Sequence, residues 1–177
     1  MKKINVSLAA LFFMAFFVFC TSPKDKLKSD IKTIEDSLFA DETKMIDRKL
    51  AKELIDKYVE FADAYPKDPD TPHTLFKAGD LAMNMNMPRK AIELFDRVMN
   101  NHPEYEKTPQ CLFLKGYIYE NDLKDLETAK QIYEDFLVKY PDDEFADDAE
   151  ISIKNLGKSP EELIREFEEK AKREGAI

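Results

Sequence analysis

Three methionines alternate with asparagines in "MNMNMP", residues 83–88, and thioethers are the soft ligands that copper(I) takes. Met83, Met85 and Met87 have no cysteine nearby, and a turn at this point would aim their side chains apart. Methionine also fills irregular gaps in a core, which is the reading preferred here. The chain has only two histidines, His73 and His102, and neither has a cysteine, serine or carboxylate at a spacing that pairs a nucleophile with a base. The acidic pairs Asp142–Asp143, Asp147–Asp148 and Glu161–Glu162 fall where helices begin, and a carboxylate there complements the helix dipole. No catalytic residue, metal site or cofactor is expected, and the chain reads as a non-enzyme.

The elements that carry these residues are helical by composition. Gly is scarce at 4 of 177 residues, and 36% of the chain is charged, which favours helix over sheet. The net charge of −9 opposes binding to nucleic acid, whose phosphates need a basic surface, and opposes electrostatic adhesion to anionic lipid. Residues 1–19 read as a signal peptide. Lys2 and Lys3 precede the apolar run "LAALFFMAFFVF", whose twelve residues would span roughly 18 Å of helix, too short for a bilayer core of about 30 Å. The run ends at Cys20, which resembles the lipidated cysteine of bacterial lipoproteins. That pattern has a small residue before the cysteine, and Phe19 stands there. Loss of the first 19 residues lowers the basic count from 27 to 25 against 36 acidic residues, a charge of −11. Lipidation of Cys20 leaves Cys111 as the one thiol, a buried and inert one by its apolar context, whereas retention of a free Cys20 would leave a Cys20–Cys111 bridge open.

Punctuation then reveals a repeat. "TPHTLFKAG" at residues 71–79 and "TPQCLFLKG" at residues 108–116 share five of nine positions. Downstream, "ELIDKYVEFADAYP", "KAIELFDRVMNNHP" and "TAKQIYEDFLVKYP" end at Pro66, Pro103 and Pro141. Eight residues before each proline stands Tyr58, Phe95 or Tyr133, and one before it Tyr65, His102 or Tyr140. Each unit reads as two helices. Thr71 and Thr108 suit N-caps, Pro72 and Pro109 the first helical position, and the closing prolines end the second helices. Gly79 and Gly116 fall mid-helix at a cost of about 1 kcal/mol against Ala, which close approach of a neighbouring helix would offset; Ala91 and Ala129 are small for the same reason.

This pattern resembles the tetratricopeptide repeat, with units of 37–38 residues in place of 34. The "YP" endings and long turns are similar to those of the periplasmic lipoproteins of the β-barrel assembly machine and of the Tol-Pal-linked cell-division coordinator. The resemblance implies an all-α fold, a right-handed α-α solenoid of about three helical pairs with helical caps. The expected organisation is a signal peptide at 1–19, a lipidated cysteine and tether at 20–26, the solenoid at 27–156, and a capping helix and tail at 157–177. Leu27, Ile31, Ile34 and Leu38 form the stripe of a first helix. Asp41 is expected to cap a long second helix reaching Tyr65, with Met45, Leu50, Leu54, Tyr58 and Phe61 on one face. Asn86 suits a left-handed turn before Pro88, Gly157 a helix stop, and Ser159 with Glu162 a capping box, after which Leu163, Ile164 and Phe167 are expected to face inward.

The resemblance also implies a groove lined by the first helix of each unit, here His73, Phe76, Asp80, Met83 and Asn84, then Gln110, Phe113, Tyr117, Glu120 and Asn121. Such a groove would hold a protein or peptide partner; the same position suits Phe76 and Phe113 for packing between repeats, and both roles stay open. The implied function is a protein-binding scaffold of the bacterial cell envelope, held by a lipid anchor at the outer membrane and facing the periplasm, as an accessory to outer-membrane protein assembly. A cell-division or peptidoglycan-synthesis coordinator, and a periplasmic copper-handling protein resting on the three methionines, are the alternatives. The oligomeric state has no signature in the residues.

Overall fold

The computed structural model describes residues 22–41 and 45–173. Among them are eight helices and no strand: α1 (Pro23–Leu38), α2 (Arg48–Ala64), α3 (Thr71–Asn84), α4 (Pro88–Asn101), α5 (Thr108–Asn121), α6 (Leu126–Lys139), α7 (Ala146–Asn155) and α8 (Pro160–Arg173). Each helix from α1 to α6 packs on the one that follows it, the arrangement of an α-α solenoid of helical pairs. Cys20 lies outside the described residues, as do the rest of the apolar leader and most of "ADETK".

The repeat is written first in its turns. Tyr65, His102 and Tyr140 cap α2, α4 and α6 with nearly identical backbones, φ −131°, −138° and −134° and ψ 57°, 56° and 56°. A following proline excludes the helical conformation from the residue before it, which is why the three exits match. Two consecutive three-residue turns follow each exit: Asp68 N–H to Tyr65 O and Thr71 N–H to Asp68 O in the first copy, with the same pair recurring at Tyr105 and Thr108 and at Asp143 and Ala146.

The threonines do a different job from the one expected. Thr71 and Thr108 are the first helical residues, behind cap positions held by Asp70 and Lys107, so Pro72 and Pro109 come second. Their buried hydroxyls donate backwards, Thr71 to Tyr65 O at 2.6 Å and Thr108 to His102 O at 3.1 Å. Each is a second donor to a helix-end carbonyl that already accepts the N–H of the turn, and so fastens the start of one helix to the end of the one before it. The third copy has Ala146 here and no hydroxyl to give.

Inside each unit a glycine receives an aromatic ring. A Cβ built on Gly79 would lie 2.6 Å from Phe95 Cε1, and one on Gly116 would lie 2.7 Å from Tyr133 Cε1. Phe95 and Tyr133 are fully buried, as are Ala91 and Ala129 one turn earlier. Asn86 takes the left-handed conformation at φ 57°, as expected, and Lys124 does so in the longer turn of the next unit.

Two expectations fail at the ends. The second helix starts at Arg48, where Asp47 accepts from Lys49 N–H at 2.9 Å and Leu50 N–H at 3.1 Å. Asp47 has the N-cap chemistry assigned to Asp41, so Met45 falls outside the helix and is 97% exposed. At the other end the capping box forms, Ser159 N–H on Glu162 and Glu162 N–H on Ser159 Oγ, but α8 does not turn its apolar face inward. Ile164 is 60% and Phe167 73% exposed. The cause is visible in the repeat. Phe167 is seven residues past Pro160 as Phe95 is past Pro88, yet Lys154 stands on α7 where Gly79 and Gly116 stand on α3 and α5. With no glycine, the ring has no slot to enter.

Candidate functional site

The first helices of the units lie side by side along one face, as side-chain contacts between them show. Lys77 on α3 donates to Glu35 on α1, Lys107 Nζ before α5 stands 4.7 Å over the Phe76 ring of α3, and Phe113 of α5 stacks on Phe145 before α7 with centroids 5.0 Å apart. On the other side α4 reaches α2 through Arg97 and Asp63. The first-helix face is the candidate site.

The ten positions assigned to this face divide by environment. Phe76 is buried at 7% exposure, its ring 6.0 Å from Phe95. Phe113 is half-buried, with Tyr133 at 5.6 Å and Phe136 at 6.0 Å besides Phe145. Glu120 accepts from Tyr133 Oη at 2.9 Å, so it holds a core ring in place. Met83 packs on the core. The exposed members are His73, Asn84, Tyr117 and Asn121, with Tyr117 at 45%. Asn84 and Asn121 behave alike: each amide nitrogen donates to the carbonyl four residues back, Asp80 O at 3.0 Å and Tyr117 O at 3.1 Å. That leaves the oxygen of each of these exposed amides able to accept.

Two hollows indent the face. One of about 320 Å³ lies where the cap meets α3, with Phe76, Asp80 and Asn84 on its wall. The other, about 500 Å³, takes in Gln110 and Lys107 with Asp143, Glu144 and Phe145. Sequence reasoning missed Phe39 and Ile46, which complete the first hollow from the segment between α1 and α2. Both are large apolar residues with no place on a helical stripe, the one signal that could have found them.

The electrostatics of this face follow from burial. Burial raises the pKa of the Asp80 carboxyl, and the Lys107 charge opposes this only in part. His73 is pulled below its ordinary value by burial and then by Lys77 and Lys107; its Nδ1 lies 3.1 Å from Tyr105 Oη. His102 is also lowered, by burial and then Arg97, at the cap position it shares with two tyrosines. Cys111 is fully buried, and burial pushes its thiol up to about 12, so little thiolate exists near neutrality. Met85 is 4% exposed, and Met83 and Met87 pack on the same core, so these side chains are committed to packing.

One polar cluster ties α1, α2 and α3 together. Glu35 accepts from both Lys77 Nζ and Tyr58 Oη, and the Lys77 charge also stands 5.5 Å over the Tyr58 ring. Burial works against the Glu35 charge, but the hydrogen bonds from Lys77 and Tyr58 outweigh it and hold the pKa below the ordinary range. A carboxyl lowered on folding stabilises the fold above its unfolded pKa, about 4.3, and that contribution fades as pH falls through the lower folded value. Glu35→Gln should therefore cost about 1 kcal/mol at pH 7, a figure discounted because Lys77 is well exposed, and much less near pH 3. Urea unfolding of both proteins at the two pH values measures the difference; an equal loss at both would mean that the charge is immaterial.

The family model described as the tetratricopeptide repeat matches residues 73–105 and 110–143, which are α3 with α4 and α5 with α6. No curated protein matches the chain. Arrays of such repeats act as scaffolds for protein–protein interaction, and the buried ring-on-glycine pairs account for the recurrence that the model detects. Residues 73–105 and 110–143 are thus similar to two tandem tetratricopeptide repeats, set within an all-helical solenoid.

Proposed function

We propose that the protein is a non-enzymatic scaffold of the bacterial cell envelope, exported by residues 1–19, held at the outer membrane through a lipid on Cys20, and serving outer-membrane protein assembly. The observation that carries the binding part is the α3–α5 face, where Asn84 and Asn121 recur as exposed amides with the same hydrogen bond, Tyr117 stands exposed, and two hollows indent the surface. Acceptors at a fixed repeat suit the backbone N–H groups of an extended segment, and a tyrosine suits its side chains. The envelope part is supported by the charged start, the twelve-residue apolar run and the cysteine that ends it. A lipid would supply residence at about 0.8 kcal/mol per buried CH₂, which the acidic surface cannot. Among the described residues no helix is long and apolar enough to cross a membrane.

The test is detergent co-purification from native membranes with wild type, Cys20→Ala and Tyr117→Ala. The expected result is that β-barrel assembly subunits accompany the wild type, that Tyr117→Ala loses them, and that Cys20→Ala leaves the membrane fraction. A wild type that resides in membranes without those subunits would refute the assembly role.

A further inference from the structure

Within the binding face, the hollow between the cap and α3 joins apolar residues of the repeat, Phe76 and Leu81, to Phe39 and Ile46 from the segment between α1 and α2. Phe39 is 51% and Ile46 40% exposed, and the buried rings of Tyr58 and Phe76 close the cavity behind them. Two of its polar groups could answer a charge. Lys77 is already engaged by Glu35 and by the Tyr58 ring. Asp80 is not engaged: among the described residues its carboxylate has no ion pair and no side-chain hydrogen bond, although it is half-buried. A carboxylate withdrawn from water without a partner is costly, and a cation brought to it removes that cost.

We propose that this hollow takes one apolar side chain of a partner segment whose neighbouring residue is a lysine or arginine, with Asp80 receiving the cation and Asn84 Oδ1 a backbone N–H. The inference rests on the first-helix face being the binding surface, and adds the chemistry that one part of it selects. A volume of about 320 Å³ admits a large side chain together with the atoms that flank it, and lies at the lower end of the roughly 300–1,000 Å³ usual for binding pockets. The Lys107 charge lies over the Phe76 ring and acts on Asp80 through its field without a bond to it, so it weakens the site for cations without filling it. Burial raises the proton affinity of Asp80, in line with a carboxylate lacking a counter-ion.

The experiment uses the full chain in detergent and three capped hexapeptides, Gly-Ser-Leu-Xaa-Ser-Gly, with Lys, Gln or Glu at Xaa, titrated to millimolar concentration while backbone amide resonances are followed. The expected result is movement of the Asp80 and Asn84 amides, with the Lys peptide at least fivefold tighter than the Glu peptide at low salt. Asp80→Asn should abolish that preference, Asp80→Glu should retain it, and Phe39→Ser with Ile46→Ser should weaken all three peptides. Equal binding of Lys and Glu peptides, or a preference that survives Asp80→Asn, would overturn the proposal. So would peptides that move Tyr117 and Asn121 alone, a result that leaves the wider face standing as a binding surface. Shifts at the hollow that follow protein concentration without peptide would assign it to a second copy of the chain and equally overturn the proposal.

Discussion

Gly79→Ala should lower the melting temperature by several degrees, against the ordinary rule for helices. By propensity alone, replacing a mid-helix glycine with alanine gains about 1 kcal/mol. Here the added Cβ would stand 2.6 Å from Phe95 Cε1 and 2.8 Å from Cδ1, where carbon atoms prefer about 3.5–4.0 Å. The ring cannot swing away, because Phe95 is fully buried and backed by Phe76. Overpacking of this kind costs about 1–3 kcal/mol and exceeds the propensity gain. In a Phe95→Leu background the obstructing ring edge is gone, so Gly79→Ala should become neutral or stabilising by up to about 1 kcal/mol. The reversal of sign between the two backgrounds is the decisive readout. Gly116 and Tyr133 should behave alike, whereas a rise in melting temperature for Gly79→Ala in the wild type would show that the ring is free to move.

That pair explains why so much of the fold is legible in the sequence. A glycine, a small residue, an aromatic and a proline are each forced by backbone or packing geometry, and geometry repeated is pattern repeated. Caps are less legible, since several residues near a helix start have suitable side chains and only the chain path decides among them. Asp41 and Asp47 are both able caps for α2, and the structure uses Asp47. Thr71 and Thr108 look like caps because threonine serves there often, yet their hydroxyls are turned to the preceding helix. The α8 error has another origin. "PEELIREF" has the stripe of a second helix, but burial of that stripe depends on what α7 offers it, and Lys154 offers no slot. Amphipathicity states what a helix is able to bury, and the partner decides whether it does.

The binding face was legible as a set of positions and less so as a set of roles. The repeat places His73, Asp80, Asn84, Gln110, Tyr117 and Asn121 without ambiguity about which helices carry them. It does not distinguish a ring that faces a ligand from one that faces the next repeat, because both occur on the same helix one turn apart. The cap residues Phe39 and Ile46 have no repeat to index them, and only the path of the chain brings them to α3.

Phe113→Ala should therefore act first on stability. Its ring stacks on Phe145 at 5.0 Å and lies within 6.0 Å of both Tyr133 and Phe136, so it joins α5, α6 and the start of α7. Truncating a phenylalanine in such a cluster should cost about 2–4 kcal/mol, less than for a fully enclosed ring and more than for a surface one. The melting temperature should fall by roughly 5–15 °C. The loss should be local as well as global. With Phe113 gone, α7 keeps Ala149 buried but loses its stacked ring, and its amides should exchange earlier than those of α3 and α4. Phe145→Ala should cost less alone and add little to Phe113→Ala, since the two changes remove one shared contact. Tyr117→Ala should leave the melting temperature nearly unchanged, as the ring is 45% exposed. A Phe113→Ala protein that melts like the wild type yet no longer binds its partner would reverse this assignment and make the ring part of the binding surface.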